Sequence, residues 1–404
     1  MLVSLPVMLE YRYTIRKEGE FMPEQAEQPI KLKVAIIGCG RVSEKHIRAV
    51  AKLSDRLCLS ALVDNNPDAP NNLLNACKKK IKKISELKTS LKTYIDYKEM
   101  LKDIHPDIVA ITVPSGLHYE IAKDCLTAGC NILLEKPMTM SNKSSRELYE
   151  LSSSLGLKIA MGHIYRYFPI VSLLHEDMVN GVFGKVGHGS VIVRWGHDND
   201  YYKQAAWRGT WKSDGGALMN QTVHALDLMC YLMNAEAVKV DGMLSRRFRD
   251  MEAEDTAMGV FTFSNGALCQ VEGTTATFPK DHEASFFINA EKAAIRIALR
   301  KGKPSYSITT EKGKNLAFRY LRRYIKNVGI SYLISVAKNP HYGIYCDLHN
   351  AITTGTSPVA DGRSGYLSVD MVLGFYRSVL KKGDVELPLS SEFKIEEMSK
   401  LELN

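Results

Sequence analysis

Two side chains in this sequence stand where proton chemistry needs them. Lys136 lies in Glu135-Lys136-Pro137, directly after the apolar run Asn131-Ile132-Leu133-Leu134, and His224 opens a second apolar stretch with Asp227 one turn on. A lysine at the end of a buried strand loses part of its preference for the ammonium form, and can hydrogen-bond or exchange a proton with a hydroxyl. Pro137 fixes the turn, and Glu135 is a candidate to hold the lysine or the nearby backbone. At helical spacing Asp227 shares a face with His224. There it either fixes the imidazole tautomer and raises its basicity, or serves only to stabilise the helix N-terminus. Neither the tripeptide nor a histidine at a helix start is specific by itself.

The elements that must position these groups begin at Lys33-Val34-Ala35-Ile36-Ile37-Gly38-Cys39-Gly40-Arg41-Val42-Ser43, which reads as a short buried strand bending on glycines into a helix. Gly38 permits the tight bend and Gly40 lets backbone approach a pyrophosphate without a Cβ in the way. The amides around Cys39, Arg41 and Val42 add donors and partial positive charge. Ser43 replaces the third glycine of the dinucleotide fingerprint with another small residue. Roughly twenty residues on, as the fingerprint expects, the apolar run Leu57 to Val63 ends in Asp64. A carboxylate at that strand tip accepts both ribose hydroxyls of NAD and repels the extra phosphate of NADP. The following Asn65-Asn66-Pro67-Asp68 brings no arginine to offset the repulsion, so NAD is the expected cofactor and NADP the lesser one.

After Asp64, helix and strand alternate: a short helix from Asp96, a strand from Pro106 to Pro114, a helix from Tyr119 to Ala128 closed by Gly129, the strand Asn131 to Leu134, a helix near Ser144 to Leu155 and a strand near Lys158 to Met161. This alternation predicts an α/β unit over 31–165, a doubly wound parallel sheet of the Rossmann type, whose ligands gather beyond the carboxyl ends of the strands. Gly38, Asp64, Pro114 and Glu135-Lys136-Pro137 then converge on one rim. From about Phe168 the pattern changes. Strands are predicted over Val186 to Trp195 and Glu236 to Met243, and Ala257 to Glu272 reads as a hairpin in which Asn265-Gly266 favours a primed turn. A second, α+β domain over 166–404 with an open, mostly antiparallel sheet follows. Its helix Ser368 to Leu380 is expected to pack back towards the first domain, and the strand Val385 to Leu389 comes after. The free sheet face is a natural subunit interface if apolar, so a homodimer or homotetramer is expected.

Composition narrows the class. A chain of 404 residues with 45% hydrophobic residues suits a globular protein of two domains. Its eight cysteines show no C-x-x-C pair or metal-like spacing, which fits a reducing cytoplasm and predicts no metal. Residues 1–30 are expected to be a flexible extension, with Met22 an alternative start, and the short apolar stretch Met1 to Leu9 is not read as a signal or a membrane span. The net charge of +8 favours anionic ligands or solubility. One cluster, Lys78 to Lys83, reads as the solvated face of a helix. The other, Leu316 to Asn339, reads as a basic helix that rests on a membrane surface or polyanion, or packs on its own protein or a second subunit. No aromatic-interleaved nucleic-acid motif is present.

Taken together, Gly38-Cys39-Gly40, Asp64, Val113-Pro114-Ser115-Gly116-Leu117-His118 and Glu135-Lys136-Pro137 resemble successive landmarks of the Gfo/Idh/MocA family, which includes glucose–fructose oxidoreductase, inositol dehydrogenase and rhizopine-catabolism proteins. Trp207-Arg208-Gly209-Thr210-Trp211 and the stretch Asp214 to Asp227, with its H-x-x-D signature, extend the likeness. The resemblance implies NAD(P)-dependent hydride transfer at a hydroxyl carbon of a sugar, cyclitol or nucleotide-sugar. It places Lys136 and His224 at catalytic positions. Gly38, Cys39, Gly40, Arg41, Val42, Asp64, Val113, Pro114, His118, Glu135 and Lys136 fall on the cofactor, and Arg166, Trp207, Arg208, Asn220 and His224 on the substrate, with Tyr165, Tyr201 and Trp211 able to line the pocket. Asn220 departs from the aspartate many relatives carry, which shifts base duty to His224 or Lys136. The glycine run is also one residue shorter. Two other readings stay open: an NAD-dependent glycoside hydrolase, and a sensor that binds NAD and sugar without turnover.

Overall fold

The computed structural model describes residues 31–78 and 91–403; the N-terminal extension and all but the first residue of the Lys78 to Lys83 run lie outside them. The first sheet contains β1 (Leu32–Ile37), β2 (Leu57–Val63), β3 (Lys92–Tyr94), β4 (Ile108–Ile111), β5 (Asn131–Leu134) and β6 (Ile159–Met161). They pair in parallel in the order β3-β2-β1-β4-β5-β6. Such strands are covered on both faces, which is why β4 and most of β1 and β5 are apolar and inaccessible. The strand order reverses between β1 and β4, and the crevice opens there.

The second sheet contains β7 (Val186–Trp195), β8 (Ala237–Ser245), β9 (Thr256–Phe263), β10 (Leu268–Thr274), β11 (His282–Ala290), β12 (Ala293–Arg300), β13 (Lys303–Thr310) and β14 (Val385–Glu386), in the order β13-β12-β11-β7-β10-β9-β8-β14. Only β7 with β10 is parallel. Burial alternates along β11, with Ala284, Phe286 and Ile288 inward, so one face packs on a helical layer that includes Val223–Met233 and Gly362–Lys381. The opposite face exposes Met243, Met258, Val260 and Leu268. β11, β12 and β13 were not anticipated, although their alternation is present in the sequence.

Two local expectations need correction. The hairpin between β9 and β10 uses a three-residue loop, Ser264-Asn265-Gly266, in which Gly266 (φ +83°) carries the left-handed conformation while Asn265 does not, so it is not a primed two-residue turn. The basic segment is two helices, Ala317–Val328 and Ile330–Lys338, divided at Gly329 (φ +80°). Both pack on the chain itself: Arg323 bonds Asp177 at 2.8 Å and Glu176 at 2.9 Å, and Asn339 Nδ2 donates to Lys45 O at 2.8 Å.

The helix Gly362–Lys381, capped by Asp361, spans both layers, packing on the helix Asn142–Ser154 as well as on β8. Asn142 ties the chain end to the first unit: its Nδ2 donates to Ser391 O and its Oδ1 accepts from Phe393 N–H. Among the described residues no helix is long and apolar enough to cross a membrane. All eight cysteines are free thiols, and burial pushes Cys130 up to about 11.

Candidate active site

The glycine turn is held from three sides. Gly38 adopts φ +95°, and a Cβ there would stand 2.8 Å from Thr112 O at the end of β4, so only glycine fits. Ser43 does what a third glycine cannot: it is fully buried, and its Oγ donates to Gly38 O at 2.6 Å beside Thr112 Oγ1 at 3.1 Å. Gly40 differs, because a Cβ there would meet nothing within 4 Å and the backbone is open to a ligand. Asp64 closes the turn, its Oδ2 accepting from Cys39 N–H at 2.8 Å and its Oδ1 from Asn66 N–H at 2.9 Å. The carboxylate is thus fixed at the tip of β2 with lone pairs left over. An open glycine backbone at a helix start, with an anchored acid at the next strand tip, fits a bound dinucleotide, and Arg41 and Val42 line the same opening.

Two residues expected on the cofactor are turned elsewhere. His118 is 1% exposed, with Nδ1 2.8 Å from Pro137 O and Nε2 3.0 Å from Val113 O, so it joins two loops of the rim. Glu135 turns inward, where its Oε1 lies 3.1 Å from His46 Nε2 and 3.0 Å from His341 Nε2.

Lys136 leaves β5 towards the second domain, where its Nζ donates to Asn220 O and stands 3.5 Å from Asn220 Oδ1. Asn220 lies in a π-helical turn, Ala217–Thr222, that leads into the helix Val223–Met233. The Asn220 amide donates to Asp214 Oδ1, and Asp214 Oδ2 accepts Gly209 N–H at 2.8 Å. Asp214, which sequence reasoning gave no role, therefore brings a buried carboxylate into the site through Asn220. Burial pushes the Asp214 carboxyl up, opposed by those two donors and by Lys136. Burial pushes Lys136 down, opposed by Glu135 and Asp214.

His224 meets Lys136 electrostatically. Burial holds its imidazole well below the usual range, and Lys136 and His163 push it further in that direction. The expected His224–Asp227 pair is absent. Asp227 is taken by Arg166, whose Nε donates to Oδ2 at 2.8 Å and Nη2 to Oδ1 at 2.7 Å, while Nη1 donates to Val359 O. Arg166, expected on the substrate, is thereby spent inside the protein. His224 Nδ1 is buried without a hydrogen-bond partner, which leaves Nε2 as the nitrogen able to address a ligand. Tyr165 packs at 5.4 Å from the His224 ring, and Trp211 is core, edge-on to Tyr376 at 5.4 Å.

The outer wall is aromatic and cationic. Arg208 lies 4.1 Å over Tyr201 and 5.3 Å from Trp207, with its Nε buried and unpartnered. His197 stacks on Tyr201 at 3.7 Å, and the charge of Arg41, which follows Gly40 in the glycine turn, reaches both. The rim of one domain and the wall of the other thus face each other.

A parallel nucleotide-binding sheet joined to an open antiparallel one, with a lysine and a neutral histidine between them, defines a pyridine-nucleotide oxidoreductase. Comparison with known proteins gives the family: the model for the GFO/IDH/MocA oxidoreductase family, NAD-binding Rossmann fold, matches residues 32–163, and that for its C-terminal domain matches 173–296. The chain belongs to this family and is an NAD-dependent enzyme. It is 23% identical over 379 residues to D-glucoside 3-dehydrogenase of Escherichia coli K12, covering 88% of this chain and 97% of the relative. It is 22% identical over 369 residues to myo-inositol 2-dehydrogenase of Thermotoga maritima, covering 88% and 98%. Among solved structures, the WlbA dehydrogenase from Bordetella pertussis, in complex with NADH and UDP-GlcNAcA, superposes with a TM-score of 0.77 at 27% identity, covering 89% of this chain and 99% of that one.

Proposed function

We propose that the enzyme oxidises a secondary hydroxyl of a nucleotide-activated sugar, with Lys136 and His224 flanking the reacting oxygen. The observation that carries this reading is the convergence of Lys136, Asn220 and Asp214 beside His224, opposite the glycine turn. NAD, when bound, supplies the hydride acceptor. Burial favours the free amine at Lys136 Nζ, whose lone pair takes the hydroxyl proton, while Glu135 and Asp214 keep its proton affinity from falling too far. His224 serves as the orienting donor. With no acceptor at Nδ1, its proton belongs on Nε2, which donates to the substrate oxygen. Anionic substrate groups meet Arg208 and Arg41, and the likeness to the UDP-GlcNAcA-bound dehydrogenase supports a nucleotide-sugar in particular. The exposed Met243, Met258, Val260 and Leu268 face serves as a contact between copies, to be tested by molar mass in solution.

Replacing Lys136 with Met is expected to lower kcat by about a thousandfold or more, while NADH binding, read by nucleotide fluorescence, stays intact. Undiminished NADH formation from a nucleotide-sugar panel would remove Lys136 from the chemistry. Release of free sugar without net NADH would favour the hydrolase reading.

A further inference from the structure

Beside Lys136, Glu135 meets two buried histidines that the chemistry above does not use. His46, on the inner face of the helix Ser43–Lys52, is inaccessible, and His341, at the start of the helix His341–Thr354, is 2% exposed. Both present Nε2 to the same oxygen, Glu135 Oε1, at 3.1 and 3.0 Å, and the two rings meet edge to face with centroids 4.6 Å apart. His46 Nδ1 lies 3.1 Å from Tyr345 Oη. A buried carboxylate is stable only where donors satisfy it.

The three ligand atoms lie within 4.8 Å of one another, a spacing that would also suit a metal ion. The tautomers decide between the two. His341 Nδ1 is buried without a partner, so a proton there would have no acceptor; it belongs on Nε2, pointing at Glu135. Tyr345 can donate its O–H to His46 Nδ1, which places the His46 proton on Nε2 as well. Two N–H groups therefore face the carboxylate.

We propose that His46 and His341 are positioning residues for Lys136, acting through Glu135: their two imidazole N–H groups fix the carboxylate as the buried negative charge against which the lysine proton is held. Glu135 is the leading charge that opposes the burial of Lys136, and its own carboxyl sits well below the usual carboxylate range, chiefly through His341 and His46 against burial. The other titratable groups around this pair are Lys45, Asp214, His118, His163, His224 and Tyr345. None supplies a third donor to Oε1 among the described residues.

The activity arm of the test rests on the proposed role of Lys136; a second arm does not. In NAD-linked oxidation, Glu135→Gln is expected to move the limb of the kcat profile governed by Lys136 to lower pH by about one unit. His341→Leu is expected to move it the same way by less, lowering kcat more than it changes KM. His341→Gln, which keeps a donor near the Nε2 position, restores the profile, and His341→Leu adds no further shift in the Glu135→Gln background. Unmoved limbs in both single variants, or shifts that add fully, would overturn the proposal. Separately, ring-nitrogen NMR of the cofactor-free protein is expected to show a proton on Nε2 of both histidines. An unprotonated Nε2 on either ring, or one bound metal ion per chain by elemental analysis, would overturn it whatever the enzyme does to sugars.

Discussion

The two sides of the cleft are built on opposite principles. On the glycine-turn side, contacts are made by backbone and short side chains: Gly38 fits because it lacks a Cβ, Ser43 and Thr112 staple the bend, and the Asp64 carboxylate accepts amide protons. On the far side, buried charges balance one another across long stretches of chain, as Arg166 does with Asp227 and Lys136 with Asp214. The first arrangement depends on close backbone approach and on what is missing from the side chains. The second depends on every partner being present, since a buried charge stripped of its partner costs far more than the pair contributes.

Arg166→Ala should therefore be the harshest single test of the wall. Among the described residues it leaves Asp227, whose side chain is 1% exposed, with only His163 at 3.7 Å and no full counter-charge. The expected loss is about 3–5 kcal/mol of unfolding free energy, read by denaturant titration. Arg166→Leu with Asp227→Leu should recover part of it. A variant of wild-type stability with a raised KM would instead return Arg166 to the substrate, where the sequence placed it.

Next comes Glu254, which lies behind the π-helical turn. It is fully buried, accepts from Leu218 N–H and Tyr376 O–H at 2.9 Å each, and leaves Oε2 unpartnered; burial pushes its carboxyl up to about 7. A carboxyl raised on folding stabilises fully below its unfolded value near 4.5, and that contribution is lost as pH rises through about 7. Glu254→Gln should flatten this decline and leave the variant more stable than the parent at pH 8 by up to ~3 kcal/mol. Melting curves across pH 5 to 8 check it. Identical slopes in parent and variant would mean that the parent carboxyl is already ionised.

This contrast also explains what could be read from the sequence. The turn at Gly38, Asp64 and the strands β1, β2, β4 and β5 are local patterns, since each motif and its contacts lie within one strand–turn–helix unit or its neighbour. Partners chosen across the fold carry no such mark. His46 on the inner face of its helix was a visible polar intrusion among Ile47 and Val50, but nothing nearby pointed to Glu135 or to His341. Asp227 at one-turn spacing from His224 was a good local guess, overruled by an arginine from the far end of the first sheet.

The glycine-turn side offers its own internal comparison. Gly38→Ala places a Cβ 2.8 Å from Thr112 O in a left-handed conformation, and should cost about 2–4 kcal/mol of stability. Gly40→Ala meets nothing in the protein, so it should melt with the parent and yet bind NADH more weakly. Unweakened NADH binding by Gly40→Ala would mean that the open space at Gly40 is not where the cofactor lies.

The gentlest perturbation exchanges the acid and the amide that share Lys136. Asp214→Asn with Asn220→Asp moves the carboxylate to position 220 and keeps the net charge. The hydrogen bond between the two side chains can simply reverse, and an asparagine carbonyl at 214 can still accept Gly209 N–H, as Asp214 Oδ2 does at 2.8 Å. Because the negative charge stays beside Lys136, kcat should remain within about a factor of five of the parent. Asp214→Asn alone removes the charge and should shift the Lys136 limb of the pH profile to lower values. Asn220→Asp alone sets two carboxyls against each other, so one keeps its proton to higher pH. A double variant as impaired as the worse single would show that the position of the charge, and not only its presence, sets the proton affinity of Lys136.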